Sequence, residues 1–199
     1  MKQQIVYIHG GTTFDSHKEY ISYLESKEIK LERLKYSRDW KDNLAGDLGG
    51  DYEILNPRMP NGTNAKYSEW ELWFKRIIPL LRNNVILIGH SLGGIFLAKY
   101  LSENKVGRKI KAAILVAAPY DDESDELLTE FKITGSLKKL SKQAEEIYLV
   151  QAKDDPVVPF AELGKYKKAL PSAKTMILPT GGHFNEEHFP QMVKLLKSL

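Results

Sequence analysis

The sequence predicts a doubly wound α/β fold, a three-layer α/β/α arrangement around about six mostly parallel strands. Short apolar runs alternate with longer segments of helical periodicity from end to end. Two of these runs, Val85–Ile88 and Ile114–Val116, are unbroken and rich in branched residues, which is typical of parallel strands covered by helices on both faces. Neither a repeat nor a linker divides the sequence, so we expect residues 1–199 to form one domain.

Six strands and three helical patterns account for most of the apolar residues. The predicted strands are Ile5–Ile8, Tyr52–Leu55, Asn84–Ile88, Lys111–Val116, Glu146–Val150 and Thr175–Leu178. Residues with the spacing of one helical face occur within Tyr67–Leu81 (Trp70, Trp73, Phe74, Ile77, Leu81), after Gly94 (Ile95, Phe96, Tyr100) and near the C-terminus (Phe189, Met192, Val193, Leu196). We therefore expect the three tryptophans and most tyrosines to lie in the core or at its rim.

Two segments are less regular. Lys30–Asp51 is strongly polar, with a short helix predicted at Arg38–Leu48. Pro119–Lys142 carries an acidic run at residues 121–126, which we interpret as a solvated face. Both segments are candidates for covering a site at the edge of the sheet, although the second is too short for a large cap.

The composition excludes several classes of protein. The chain has 199 residues, 42% of them hydrophobic, which is enough for a substantial core. Its 29 Lys+Arg and 26 Asp+Glu leave a formal charge of only +3, so we expect no nucleic-acid partner. The absence of cysteine excludes disulfide scaffolds, thiolate zinc sites and cysteine nucleophiles.

The apolar runs are also too short for a membrane protein. None approaches the roughly 20 residues that span a bilayer, and the N-terminal run Ile5–Ile8 is not followed by a small-residue cleavage site. We expect a soluble, cytoplasmic protein that does not bind membranes and is a monomer or a small homo-oligomer.

Residues 89–94 form a motif that indicates a catalytic function. They read Gly-His-Ser-Leu-Gly-Gly, a Gly-x-Ser-x-Gly pattern between a predicted strand and a predicted helix. A serine at the tip of so sharp a turn leaves no room for side chains at Gly89 and Gly93. A phosphate-binding loop would need Lys and Ser/Thr after its second glycine, and this chain has Ile95 and Phe96 there. We therefore predict that Ser91 is a nucleophile.

A serine hydroxyl needs a base, and the base needs an acid that orients it. An Asp154-Asp155-Pro156 segment follows the predicted strand Glu146–Val150, and Gly181-Gly182-His183 follows Thr175–Leu178. The order Ser, Asp, His is the order this type of sheet uses. Since the carboxyl ends of parallel strands meet at one edge, we expect Ser91, one of the two aspartates and His183 to converge.

Backbone amides near the serine are the candidates for an oxyanion hole. The start of the helix after Ser91 presents the Leu92 N–H, and the turn after the first strand presents that of Gly11, with Thr12 as a further candidate. The other histidines are expected to be structural (His9), to point away from Ser91 (His90) or to lie at the surface (His17, His188). The spacing of His183, Glu186, Glu187 and His188 matches no zinc motif, so we expect neither metal nor organic cofactor.

The whole chain resembles the α/β-hydrolase superfamily, and within it the YdeN-like serine hydrolases related to retinoblastoma-binding protein nine. The resemblance rests on Ile5–Gly11, Asn56–Pro60, the Glu69-Trp70 helix, Gly89–Gly94, residues 153–156 with Pro159-Phe160, and Gly182–Phe184. It implies a compact α/β-hydrolase fold with little or no cap. The segment from Leu31 to Asp51 is roughly twenty residues longer than the first crossover of the subgroup.

The resemblance also implies roles for individual residues. Ser91 matches the nucleophile and His183 the general base, and Asp155 matches the acid of an Asp-Pro-x-x-Pro segment, with Asp154 as the second choice. The implied activity is hydrolysis of a small-molecule ester or amide, with a carboxylesterase favoured over a peptidase. Relatives that cleave carbon–halogen or epoxide bonds have Asp at the position of the nucleophile. Because this chain has Ser91 there, we do not expect it to catalyse those reactions. The alternative is a hydrolase-fold interaction protein with weak or no activity.

Overall fold

Six parallel strands form one sheet in the order β2-β1-β3-β4-β5-β6. The structure is a computed structural model that describes residues 1–35, 37–121 and 127–199. The strands are β1 (Gln3–Ile8), β2 (Tyr52–Leu55), β3 (Val85–His90), β4 (Ile110–Val116), β5 (Ala144–Ala152) and β6 (Lys174–Leu178). Every predicted strand is present, and the predicted α/β fold is confirmed.

The described helices differ more from prediction than the strands do. They are α1 (His17–Ser26), α2 (Leu31–Leu34), α3 (Trp40–Leu48), α4 (Tyr67–Ile77), α5 (Leu92–Glu103), α6 (Lys138–Gln143), α7 (Ala161–Ala169) and α8 (Pro190–Ser198). α4 ends earlier than predicted because Pro79, which has no N–H, lies in a 3-10 turn at Ile78–Leu80. α3 begins two residues later than predicted, after Asp39, which forms a capping box with Asp42, and it ends at Leu48 as predicted. α1, α2, α6 and α7 were not predicted.

The sheet separates two apolar cores. Val6 and Ile8 of β1 face the core beneath α4 and α5, whereas Ile5 and Tyr7 face the core beneath α3 and α8. This alternation follows from the two-residue period of a strand. It places the polar segment 30–51, through α3, on the opposite face of the sheet from α5.

The prediction for the tryptophans was right for two of the three. Trp40 and Trp70 are buried, but Trp73 is 44% exposed. α4 packs through Trp70 and Phe74, which are one turn apart on the same stripe. Leu72 and Trp73 lie beside that stripe and remain outside the core.

Two expectations concern the surface. Residues 122–126, most of the acidic run, lie outside the described residues; Asp121 is described and pairs with Lys165 at 2.5 Å. Across the described ranges, no helix has both the length and the apolar character required to cross a membrane.

The start of α5 passes very close to the end of β1. A Cβ atom on Gly93 would lie 2.4 Å from the Ile8 carbonyl oxygen and 2.6 Å from that of His9. A Cβ on Gly94 would lie 2.6 Å from the Cβ of Ala118. Glycine at these positions lets the helix begin directly against the sheet.

We expect Gly93→Ala to lower the free energy of unfolding by about 2 kcal/mol or more, since the new methyl group meets backbone atoms that cannot move aside. Gly46→Ala is the matched control: Gly46 lies within α3, and its Cβ would meet nothing within 4 Å. This change should stabilise the protein by about 0.5–1 kcal/mol. Urea unfolding measures both, and equal effects would contradict the close approach of α5 to β1.

Candidate active site

Ser91 occupies a strained turn between β3 and α5. Its backbone angles are φ 54° and ψ −124°, in a region that residues other than glycine rarely adopt. Its N–H donates to the Val116 carbonyl oxygen at 2.8 Å, and its side chain caps no amide of α5. A Cβ on Gly89 would lie 2.2 Å from the Gly93 carbonyl oxygen, which agrees with the steric reason predicted for these glycines.

Gly10 also packs against the serine, although sequence analysis did not identify it. A Cβ there would lie 3.2 Å from the Ser91 Cβ and 3.6 Å from its Oγ. A side chain at position 10 would therefore occupy the space beside the hydroxyl. The His-Gly-Gly turn after β1 was a usable signal, but it suggested only amide donors.

The His183 ring is hydrogen-bonded to Asp155. Nδ1 lies 3.0 Å from Oδ2 and 3.1 Å from Oδ1 of the carboxylate, whose side chain has no exposed surface. Oδ1 also accepts from the Val157 and Val158 amides, and Oδ2 from Gln151 Nε2. Because a carboxylate only accepts, Nδ1 carries the proton and Nε2 of the neutral ring is left as an acceptor.

The neighbouring Asp154 has a different contact. Its Oδ1 accepts hydrogen bonds from the Gly181 and Gly182 amides at 2.9 and 3.0 Å. It therefore anchors the loop that carries His183 and makes no hydrogen bond to the ring. The choice between the two aspartates, open from the residues alone, corresponds to two distinct positions in the structure.

His90 was expected to point away from Ser91, and the structure adds that it supports His183, a role that sequence analysis missed. It is 4% exposed, its Nε2–H donates to the His183 carbonyl oxygen at 2.8 Å, and the two ring centroids are 4.8 Å apart. Burial lowers the pKa of His90 well below the ordinary value, and the positive charge of Lys41 adds to this effect. His90 thus remains a neutral donor near neutral pH.

Segment 31–51 supports the same loop from the other side. The Trp40 indole N–H donates to the Phe184 carbonyl oxygen at 2.9 Å, and the Trp40 amide donates to that of Glu186 at 2.8 Å. Phe184 itself has a positive φ of 52°. Sequence analysis left open whether this segment covers the site; in the structure, α3 lies against the opposite core and fixes the histidine loop.

The predicted oxyanion donors belong to two residues that pack against each other. A Cβ on Gly11 would lie 3.1 Å from a Leu92 methyl carbon, and neither amide donates a hydrogen bond to any residue that the structure describes. The Thr12 amide is bonded to the Gly62 carbonyl oxygen at 2.9 Å. Gly11 and Leu92 therefore have free donors, and Thr12, the further candidate, does not.

The remaining histidines lie where they were expected. His9 Nε2 accepts from the Met59 amide at 2.9 Å, a structural contact. His17 is exposed. His188 is exposed and lies 3.0 Å from Asp47, whose charge and hydrogen bond raise the pKa of His188.

Ser91 and His183 are connected through His90 and have no hydrogen bond of their own in the described structure. His90, which precedes Ser91, contacts both the ring and the carbonyl group of His183. Among the described residues, the Ser91 hydroxyl makes no hydrogen bond to His183. Such a contact commonly tightens only when a substrate is bound.

A comparison of the sequence with known families identifies the family of this chain. The model of the serine hydrolase family matches residues 35–198. The chain belongs to the serine hydrolase family. YdeN of Bacillus subtilis (strain 168) is 27% identical over 150 residues, which cover 74% of this chain and 76% of that protein.

Two solved structures of other proteins have the same fold as this chain. The crystal structure of the Bacillus subtilis ydeN gene product has a TM-score of 0.72 at 21% identity and covers 99% of this chain and 98% of its own. The meta-cleavage product hydrolase of Pseudomonas fluorescens IP01 has a TM-score of 0.65 at 13% identity and covers 98% and 89%. This member of the serine hydrolase family is similar to YdeN and has the compact α/β-hydrolase fold.

The buried His90 predicts how the stability of this hydrolase depends on pH. As the pH falls below about 6.5, the unfolded chain protonates residue 90 and the folded protein does not. The contribution of neutral His90 to the free energy of unfolding is therefore fully present above that pH. Below it, this contribution decreases by up to about 1.4 kcal/mol per pH unit. His90→Gln keeps an N–H donor without a titrating ring and should flatten the dependence.

Urea unfolding between pH 5 and 8 measures this slope. His188→Gln is the control, because His188 is exposed and its pKa is shifted in the opposite direction; this variant should keep the decline. A decline of equal size in wild type and in His90→Gln would show that His90 is not the group responsible.

Proposed function

We propose that this serine hydrolase cleaves carboxylic esters through an acyl-enzyme formed on Ser91. The observation that supports this most strongly is the hydrogen bond from His183 to the buried Asp155, together with the contact of His183 with His90, the residue before the strained Ser91. The charge-free pocket beside Gly11 and Leu92, as far as its residues are described, favours a neutral ester over an aminoacyl amide.

In the proposed reaction, His183 acts first as a base. Its Nε2 accepts the proton of the Ser91 hydroxyl as Oγ bonds to the ester carbonyl carbon. The carbonyl oxygen becomes an oxyanion, to which the Leu92 and Gly11 amides donate, each contributing roughly 3 kcal/mol to the lowering of the barrier. Asp155 stabilises the imidazolium that forms.

The same ring then completes the cycle. Imidazolium Nε2–H protonates the departing alkoxide as the C–O bond breaks, which leaves an acyl group on Ser91. Water then attacks the acyl carbon while His183 Nε2 takes its proton; as the bond between this carbon and Ser91 Oγ breaks, the imidazolium returns the proton to Oγ and the carboxylic acid leaves. The chemistry of each step uses side chains and amides of this chain.

We expect a fluorophosphonate probe to label the wild-type protein stoichiometrically on Ser91. Ser91→Ala should not be labelled, and His183→Gln should react at least about 10³-fold more slowly because the base is lost. Intact-mass spectrometry counts the label, and circular dichroism verifies that each variant is folded. A folded wild-type protein that stays unlabelled would favour the alternative, an interaction protein that has kept the hydrolase fold.

The two aspartates give a second test. Asp155→Asn should lower kcat by about 10³–10⁴-fold, because an amide no longer fixes the Nδ1–H tautomer or stabilises the imidazolium. Asp154→Asn keeps a carbonyl oxygen for the Gly181 and Gly182 amides and should change kcat by less than about tenfold. Hydrolysis of a 4-nitrophenyl ester reports both rates. The reverse ranking would overturn the assignment of Asp155.

A further inference from the structure

A pocket of about 290 Å³ opens beside the two free amides. Gly11 and Leu92 form one side of it, and its other walls include Thr13, Phe14 and Tyr23. Leu127 lines it as well. A carbonyl group whose oxygen is bound by the Gly11 and Leu92 amides would therefore have this pocket next to it.

The walls of the pocket are held in place by side-chain contacts. The Thr13 hydroxyl donates to the Leu127 carbonyl oxygen, which joins the turn after β1 to the segment before α6. Lys66 Nζ donates to the Phe14 carbonyl oxygen at 2.7 Å, and the ring centroids of Phe14 and Tyr23 are 5.0 Å apart. The pocket is thus formed before a ligand binds.

The lining residues that the structure describes offer no charge to a ligand. None of the described residues around the pocket is Asp, Glu, Lys, Arg or His. Its polar side chains are partly used already, since the Thr13 hydroxyl bonds Leu127 and the Tyr23 hydroxyl accepts from Lys27. A carboxylate or ammonium group on the acyl chain would lose water here without gaining a partner.

The volume sets the size of the group that fits. An apolar cavity of about 150 Å³ holds one benzene ring, and this pocket is about twice as large. A larger groove of about 610 Å³ lies between α3 and α8, but Asp47, Lys194 and Lys197 line it and none of the proposed site residues does.

We propose that this pocket binds the acyl group of the substrate, and that the group is uncharged, apolar and roughly six to ten carbon atoms long. The inference rests on the proposed function and specifies its substrate class as medium-chain or arylalkanoyl esters. α1 carries no buried residue, yet its Tyr23 forms a wall. Tyr23 and Leu127 are therefore the residues expected to determine acyl length.

The test is a series of 4-nitrophenyl esters from acetate to dodecanoate. We expect kcat/KM to rise by up to about fourfold for each methylene that the pocket buries, to peak between hexanoate and decanoate, and then to fall. Leu127→Trp, which fills the pocket, should move the peak to shorter chains. Tyr23→Ala, which widens it, should move the peak to longer chains. Both side chains are partly exposed, so both variants are expected to fold.

Two controls complete the test. Ile21→Ala changes an exposed side chain of α1 that does not line the pocket and should leave the profile unchanged. The 4-nitrophenyl monoester of adipic acid, a six-carbon acyl group ending in a carboxylate, should react at least about 100-fold more slowly than the hexanoate because its charge is unpaired.

The outcomes separate this inference from the proposed function. The acyl pocket alone would be overturned if a small fluorophosphonate labels Ser91 but kcat/KM is highest for the acetate ester. The same conclusion would follow if neither pocket variant changes how kcat/KM depends on acyl length. Equal rates for the adipate and hexanoate esters would do the same. A folded protein with neither label nor turnover would overturn the proposed function, and the acyl pocket with it.

Discussion

Asp155 is a carboxylate with no exposed surface, and the chain around it is arranged to compensate for that burial. Isolated from water, such a charge would be strongly destabilising. Two backbone amides, a glutamine side chain and the His183 ring donate to its oxygens. The first three belong to the end of β5 and the turn after it, so the strand that ends beside β4 also fixes the acid. The orientation of the imidazole follows from this local arrangement.

The loop that carries His183 is fixed by parts of the molecule that are far apart in the chain. Asp154 binds the Gly181 and Gly182 amides, and His90 binds the His183 carbonyl group. Trp40 binds that of Phe184. Each bond removes freedom from a loop whose glycines would otherwise make it mobile. The segment before β2 thereby contributes to the site from the far face of the sheet, and none of its described residues lines the pocket beside Gly11 and Leu92.

Close packing around the turn at Ser91 constrains the site as well. Ser91 adopts an unfavourable φ, and α5 can begin against β1 only because Gly93 lacks a side chain. Such strain costs about 1–3 kcal/mol and persists only where the surrounding structure enforces it. Here the enforcing contacts are the bond from the Ser91 amide to Val116 and the packing of Gly10 against the serine. Stability elsewhere in the fold offsets the cost of presenting the hydroxyl.

Local patterns in the sequence were enough to predict the strands and the α/β class, and to identify Ser91 and His183 as candidate catalytic residues. This was possible because strand periodicity and a Gly-x-Ser-x-Gly turn are encoded within a few residues. Their spacing could not distinguish Asp154 from Asp155, since one peptide step reverses the direction of a side chain and only the folded loop shows which carboxylate meets the ring. The roles of His90 and Trp40 were equally hidden. Trp40 lies 144 residues from Phe184, and two such groups meet only once the strand order and the packing of α3 on the sheet are set.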